Sequence, residues 1–171
     1  MNKSPSILLL ATIAAAIGIM AFPAVTSATS DRVYGGNGCQ PNFGYDYGTD
    51  VYLHAGYVRN GSATNARGVW CPVVRSELSS ADGLDTSEVV VYDGSDNSAV
   101  WCGMYSYDST GSLLRSEFEI TDNATTGRET LTFESMDLSD SSDGGHYSIY
   151  CDMPRSDITD SKVYFYRVRE N

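Results

Sequence analysis

Three segments of the sequence place a cysteine between apolar residues and alternate that set with large aromatic residues. In each segment, residues two positions from Cys71, Cys102 or Cys151 are apolar. Side chains of a β-strand alternate between its two faces, so if the cysteines face a core, the aromatic side chains face the other way. Rings on an outer sheet face can stack on the apolar C–H face of a sugar. The pattern therefore predicts a ligand-binding surface made of Trp70, Trp101, Tyr105, Tyr107 and Tyr150.

A structural interpretation of the same rings stays open. Large aromatic side chains on an outer face need an explanation, and cover by other parts of the chain is a sufficient one. The Gly-rich segment from Asp31 to Gly48 or neighbouring loops would supply that cover, or both faces of the sheet would be buried. The exposure of the two tryptophans and Tyr150 distinguishes the two interpretations.

One acidic loop has the composition of a cation site. Asp137, Asp140 and Asp143 precede Gly144 and Gly145, and calcium binds several oxygen ligands in loops of this kind. The spacing of i, i+3 and i+6 is not that of an EF-hand, so a solvated acidic loop is the alternative. Apart from this Ca²⁺ site, we expect no cofactor.

Two further carboxylates lie on one predicted strand face. Glu117 and Glu119 are separated by two positions, and a glycosidase needs a pair of carboxyl groups on either side of a cleft. Arg115 shares that face and would neutralise part of the pair. A carboxylate-dependent, glycosidase-like hydrolase is therefore the enzymatic alternative. We assign no catalytic residue and favour a protein without catalysis.

Short apolar alternations separated by Gly, Asn, Asp and Ser predict an all-β fold. We expect an antiparallel β-sandwich, with a jelly roll as one arrangement of it and a closed barrel as the alternative. The predicted strands are Val51–Arg59, Gly68–Arg75, Glu88–Tyr92, Ala99–Tyr107, Leu113–Ile120, Glu129–Glu134, His146–Cys151 and Lys162–Val168.

Four cysteines in an exported chain predict two disulfides, for which three pairings exist. Cys102 and Cys151 share the context Cys-x-Met, so we favour a bond between them. Cys39 would then form a disulfide with Cys71 and anchor the irregular N-terminal segment. Pro72 follows Cys71 directly and cannot donate a ladder hydrogen bond, which predicts a sheet edge or a bulge there.

The N-terminus resembles an export signal. An apolar run after Lys3, then Pro23 and small residues, predicts a signal peptide over residues 1–28, with an uncleaved anchor as the alternative. Residues 29–171 would form a single domain that is secreted or periplasmic and makes no stable membrane insertion. The full chain has a net charge of −11, and losing residues 1–28, with one lysine and no acid, leaves −12. Such acidity argues against nucleic-acid partners.

Several motifs together resemble those of a group of small exported bacterial proteins of unknown function. They are Cys-Pro-Val-Val-Arg from Cys71, Tyr-x-x-Tyr-Cys-x-x-Pro from Tyr147, and Tyr-x-Tyr-Arg-Val-x-Glu from Tyr164, in a chain with a signal peptide and four cysteines. The resemblance covers most of residues 29–171. It implies a shared cysteine-strand architecture and brings no catalytic residue with it.

These observations favour a secreted, non-catalytic binding or envelope-associated module. A glycan or another envelope component is the expected partner, and we expect a monomer. A purely structural surface protein without a small ligand is the remaining alternative to the hydrolase.

Overall fold

The computed structural model describes residues 30–42, 44, 47–74, 84–122, 126–133, 145–156 and 158–170. These residues form eleven β-strands and one short 3₁₀ turn, Gly36–Gly38. The strands are β1 Ser30–Gly35, β2 Gln40–Pro41, β3 Val51–His54, β4 Tyr57–Asn60, β5 Arg67–Val73, β6 Leu84–Asp93, β7 Trp101–Tyr107, β8 Leu113–Ile120, β9 Gly127–Phe133, β10 His146–Met153 and β11 Lys162–Glu170.

The strands form two antiparallel sheets, which we call sheet A and sheet B. Sheet A has the order β3-β4-β11-β6-β9, and β1 also pairs with β11. Sheet B has the order β2-β5-β10-β7-β8. The predicted all-β antiparallel sandwich is therefore confirmed.

The pairing of the strands is nested, and this defines a jelly roll. β7 pairs with β8, β6 with β9, β5 with β10 and β4 with β11. Each successive pair lies further apart in sequence, and the pairs alternate between sheet B and sheet A. Eight strands in two sheets with this order form the rolled double Greek key. β1, β2 and β3 extend the two sheets.

The core lies between the sheets and contains both disulfides. All four cysteines are fully buried, together with core residues such as Val89, Phe133, Ile149 and Tyr166. Cys39 is bonded to Cys71 and Cys102 to Cys151, which are the pairs that the sequence context favoured. The second bond joins directly opposite residues of β7 and β10.

Pro72 lies where β5 has a partner on one side. β10 pairs along the whole length of β5, whereas β2 pairs only with Val69 and Trp70. The carbonyl oxygen of Pro72 accepts a hydrogen bond of 2.6 Å from the hydroxyl of Tyr166 on sheet A. The ring nitrogen points the same way, so its missing hydrogen leaves the β5–β10 ladder intact. The proline thus lies at a locally open sheet edge, as predicted.

Two predictions about the elements were wrong. The single strand expected over Val51–Arg59 is a hairpin of β3 and β4, because Gly56 turns the chain with a φ of 96°. The segment expected to be irregular contains β1, which pairs with β11 along six residues, and β2. Within the described residues, no helix is long and apolar enough to cross a membrane. The predicted signal peptide lies outside those residues.

Candidate functional site

The predicted orientation of the cysteine strands is found in sheet B. Cys71, Cys102 and Cys151 have no exposed surface, whereas Trp70, Trp101 and the tyrosines at 105, 107 and 150 are half-buried. Trp70 and Tyr150 are directly opposite each other on β5 and β10, so they share the outer face. This face is turned away from sheet A.

Five rings on this face contact one another in a closed circuit, which we call the aromatic ring cluster. Going round it, ring centroids are separated by 4.8 Å between Trp70 and Tyr150, 5.2 Å between Tyr150 and Trp101, and 6.0 Å between Trp101 and Phe118. Phe118 and Tyr105 are 5.7 Å apart, and Tyr105 and Trp70 close the circuit at 5.5 Å. These are distances at which aromatic pairs attract. The circuit spans four neighbouring strands.

Glycines beneath the cluster give the rings their positions. Gly103 is opposite Tyr150 on one side and Phe118 on the other. A β-carbon added there would come within 2.8 Å of the Phe118 ring and 2.9 Å of the Tyr105 ring. A β-carbon on Gly68 would meet the hydroxyl of Tyr150. The rings therefore pack flat against the backbone at these glycines instead of projecting away from the sheet.

Polar side chains hold the two indole groups. The Trp70 Nε1–H donates to Oδ1 of Asn42 at 3.2 Å, and the Trp101 side chain donates to the carboxylate of Asp152. Burial raises the pKa of Asp152, and the hydrogen bond from Trp101 offsets part of that increase. Each tryptophan therefore has a fixed ring orientation with an oxygen acceptor at its edge.

The cluster continues along β7 to a second pair of rings. Tyr107 stacks on His146, with centroids 4.9 Å apart and an interplanar angle of 13°. Tyr105 and Tyr107 are 6.4 Å apart and nearly parallel. Burial is the larger cause, and the neighbouring Tyr107 the smaller, of a raised pKa at Tyr105. Tyr107 thus extends the surface but lies outside the circuit.

The side of the cluster nearest β8 is open to solvent. Phe118 and Ile120 are 54% and 58% exposed. Together with Trp101 and Glu119 they line a shallow depression of about 430 Å³. Exposed apolar surface of this kind, bordered by polar groups, is typical of a binding site. Of the N-terminal segment, the described strand β2 pairs beside β5 and extends sheet B at its edge.

Sequence reasoning missed Phe118 and Asp152. The face of Phe118 depends on the register of β8, which places it opposite Gly103; no local pattern gives that register. Asp152 lies two residues from Tyr150, so alternation alone places both on one face. That signal was present in the sequence.

The other predicted site residues are not part of the aromatic ring cluster, although Glu119 also lines the depression beside it. Glu117 and Glu119 pair opposite Met104 and Cys102, whose side chains are in the core, so alternation places both carboxylates on the face opposite Phe118. Among the described residues, no group of three metal-ligating side chains is close enough to hold an ion. The loop with Asp137, Asp140 and Asp143 lies outside those residues, and the calcium site stays a prediction.

No family model and no curated protein matches the chain. Among solved structures, it is similar to the xylan-binding module CBM15, with 11% identity and a TM-score of 0.47 over 82% of this chain and 97% of that one. It is also similar to the family 11 carbohydrate-binding module from Clostridium thermocellum in complex with a β-1,3-1,4-mixed-linked tetrasaccharide, with 11% identity and a TM-score of 0.37 over 84% and 91%. A third is the enzymatically active domain of tailspike protein 4 from bacteriophage CBA120, with 8% identity and a TM-score of 0.45 over 81% of this chain. The chain spans only 19% of that protein's length. These likenesses concern the fold alone.

Proposed function

We propose that this chain is a non-catalytic module that binds a neutral glycan through the aromatic ring cluster. The observation that carries the proposal is the circuit of five contacting, partly exposed rings on the outer face of sheet B. Exposed apolar surface bordered by polar residues is typical of an interaction site. The apolar faces of sugar rings provide the matching surface.

Polar groups at the rim of the cluster supply the directional contacts. The carboxylate of Asp152 accepts one hydrogen bond from Trp101, and a carboxylate has about four lone-pair sites. Its remaining sites can accept from sugar hydroxyls. A negative group at this position also repels an acidic sugar that contacts it. A neutral glycan therefore suits the surface better than an acidic one.

The disulfides support a location outside the cytoplasm. Two buried disulfides fit an oxidising compartment, so we place the module in the periplasm or outside the cell. Its partner there would be an envelope or extracellular polysaccharide. The hydrolase alternative gains no support from the cluster, because Glu117 and Glu119 lie on the opposite face of β8.

Tryptophan fluorescence tests the proposal directly. Trp70 and Trp101 are the two tryptophans of the chain, and both belong to the cluster. We expect one of a panel of neutral polysaccharides, including xylan, mixed-linkage β-glucan, cellulose and chitin fragments, to shift or quench their emission. Phe118→Ala should weaken binding about tenfold, since a ring–sugar contact removes roughly 60 Å² of apolar surface from water at about 25 cal/mol/Å².

A matched control separates ring loss from damage to the fold. Phe118 is 54% exposed, so its replacement should leave the melting temperature nearly unchanged. Tyr57→Ala removes a half-buried ring from the outer face of sheet A and should not change neutral-glycan binding. The absence of any spectral response across the panel, or equal losses in the two variants, would overturn the proposal.

A further inference from the structure

The outer face of sheet A has a very different chemistry from that of sheet B. Residues 29–171 contain ten lysines and arginines, and half of them lie on this one face by the alternation of their strands. They are Arg59, Arg128, Lys162, Arg167 and Arg169. In a chain with a net charge of −11, five cations thus share a single sheet face.

Five of the side chains on this face form a row that crosses the whole sheet. Tyr52 on β3 is opposite Arg59 on β4, and Arg59 is opposite Lys162 on β11. Lys162 is opposite Tyr92 on β6, which is opposite Arg128 on β9. Directly opposite residues of antiparallel strands point to the same face. With strands about 4.8 Å apart, the row is about 19 Å long.

Aromatic rings support the cations of the row. The Lys162 ammonium lies 5.1 Å from the Tyr92 centroid and 5.7 Å from that of Tyr57. The Arg128 guanidinium lies 5.2 Å from the ring of Tyr164. Cation–π contacts of this kind position a charge without neutralising it.

Ion pairing divides the five cations into two groups. Arg167 has the carboxylates of Asp31 and Glu88 at 3.6 Å, Arg169 has that of Asp31 at 4.0 Å, and Arg59 is paired with Asp160. For Lys162 and Arg128, by contrast, no carboxylate of the described residues lies within ion-pair distance. Within the described part of the chain, these two cations are therefore not neutralised by an ion pair; Arg128 is exposed and Lys162 is half-buried.

We propose that this row is a second binding site, which takes a linear acidic polysaccharide. A polyuronate carries one carboxylate per sugar, and its repeat is comparable to the spacing of the strands that carry the cations. The phenol ring of Tyr92, between Lys162 and Arg128, and that of Tyr52, at the end of the row, give its sugars apolar contacts. The site is independent of the aromatic ring cluster, and the two together would let one module join a neutral glycan to an acidic one.

The overall acidity of the chain does not prevent such binding. Charges more than about 8 Å apart are largely screened at physiological ionic strength, so a polymer lying on the row is attracted by the cations it touches. A nucleic acid duplex is a poorer fit. It carries one charge per roughly 1.7 Å, far more than three cations in 19 Å can match.

The experiment measures affinity for polygalacturonate at physiological ionic strength, by calorimetry and affinity electrophoresis. We expect wild-type protein to bind, Lys162→Gln/Arg128→Gln to bind about tenfold more weakly, and Lys162→Arg to bind like wild type. The double variant Arg115→Gln/Arg155→Gln removes the same charge from exposed positions elsewhere, and its affinity should change less than twofold. Melting temperatures check that each variant is folded.

Any of three results would overturn the proposal. Wild-type protein does not bind polygalacturonate, the two double variants lose affinity equally, or oligodeoxythymidylate displaces polygalacturonate at a lower concentration than polygalacturonate itself does. If Lys162→Gln impairs folding, Arg128→Gln alone, at an exposed position, must still lower the affinity about threefold. Trp101→Ala, which disables the aromatic ring cluster, should leave polygalacturonate binding intact, so the two proposals fail separately.

Discussion

The side chain of Asn60 links the two sheets by hydrogen bonds, and we expect its replacement to lower the stability of the fold. Its side chain is fully buried at the end of β4. The Nδ2 group donates to the carbonyl oxygens of Asn65 at 2.9 Å, Met153 at 3.0 Å and Pro154 at 2.9 Å. Oδ1 accepts from the backbone N–H of Ser62 at 2.8 Å. The side-chain amide of Asn60, at the end of β4 in sheet A, thus joins the β4–β5 connection to the end of β10 in sheet B.

Asn60→Ala should lower the free energy of unfolding by about 4 kcal/mol. The substitution leaves two buried carbonyls and one buried N–H without their partner, at about 1–3 kcal/mol each. Since a domain has about 5–15 kcal/mol in total, much of the stability would be lost. At about 3 °C per kcal/mol for a domain of this size, the melting temperature should fall by roughly 12 °C.

Asn60→Asp tests whether the hydrogen bonds donated by Nδ2 matter, because aspartate keeps the shape of the side chain and lacks both N–H donors. The new carboxylate would face three carbonyl oxygens, and burial would raise its pKa in the folded state. Because the pKa of this carboxyl is higher in the folded than in the unfolded state, its destabilising effect is small below the unfolded-state pKa of about 3.9. The effect grows as pH rises above that value. We therefore expect Asn60→Asp to be less stable than Asn60→Ala at pH 7 and to regain stability towards pH 4.

Urea unfolding monitored by tryptophan fluorescence measures both effects at pH 4 and pH 7. Asn97→Ala and Asn97→Asp, at an exposed loop position, provide the controls. If Asn60→Ala were no more destabilising than Asn97→Ala, or if Asn60→Asp equalled wild type at pH 7, the argument from buried donors would be refuted.

Two more predictions concern the strands beneath the aromatic ring cluster. Replacing Cys102 and Cys151 together by alanine should lower the free energy of unfolding by about 4 kcal/mol, because their bond closes a loop of 49 residues; an unchanged urea midpoint would contradict this. Trp101→Phe should raise the pKa of Asp152 further, since it removes the hydrogen bond that stabilises the carboxylate while burial remains. Carbon-detected NMR titration of the Asp152 carboxyl measures the change, and a lowered pKa would contradict the assignment of that hydrogen bond.

The sequence could predict the strands whose apolar alternation is clear. β5, β7 and β10 each place cysteines and aliphatic residues on one face and rings on the other, and the structure has that arrangement. The hairpin at Gly56 was missed because alternation continues on both sides of the turn. β1 was missed because a short, polar strand at a sheet edge carries little periodic signal and forms by pairing with β11.

The candidate site could be predicted only in part, for the same reason. Residues on the predicted cysteine strands were found, whereas Phe118 alternates with Glu117 and Glu119, a pattern that favours a buried ring and solvated carboxylates, and the structure has the reverse. Leu114, Phe118 and Ile120 are exposed on β8, and the face that carries Glu117 is turned towards the core side. In such a strand at the edge of a sheet, the register of pairing decides which side chains face the core, and that register depends on residues far away in the chain.

The nested order of the strands has a consequence for how the protein matures. β11 lies in the middle of sheet A and pairs with β1, β4 and β6, although it is the last of the described strands along the chain. Sheet A therefore cannot assemble before β11 has left the ribosome or the translocation pore. Contacts between such distant segments close slowly. If the module acts outside the cytoplasm, as we propose, this slow closure would let the chain cross the membrane before its disulfides form.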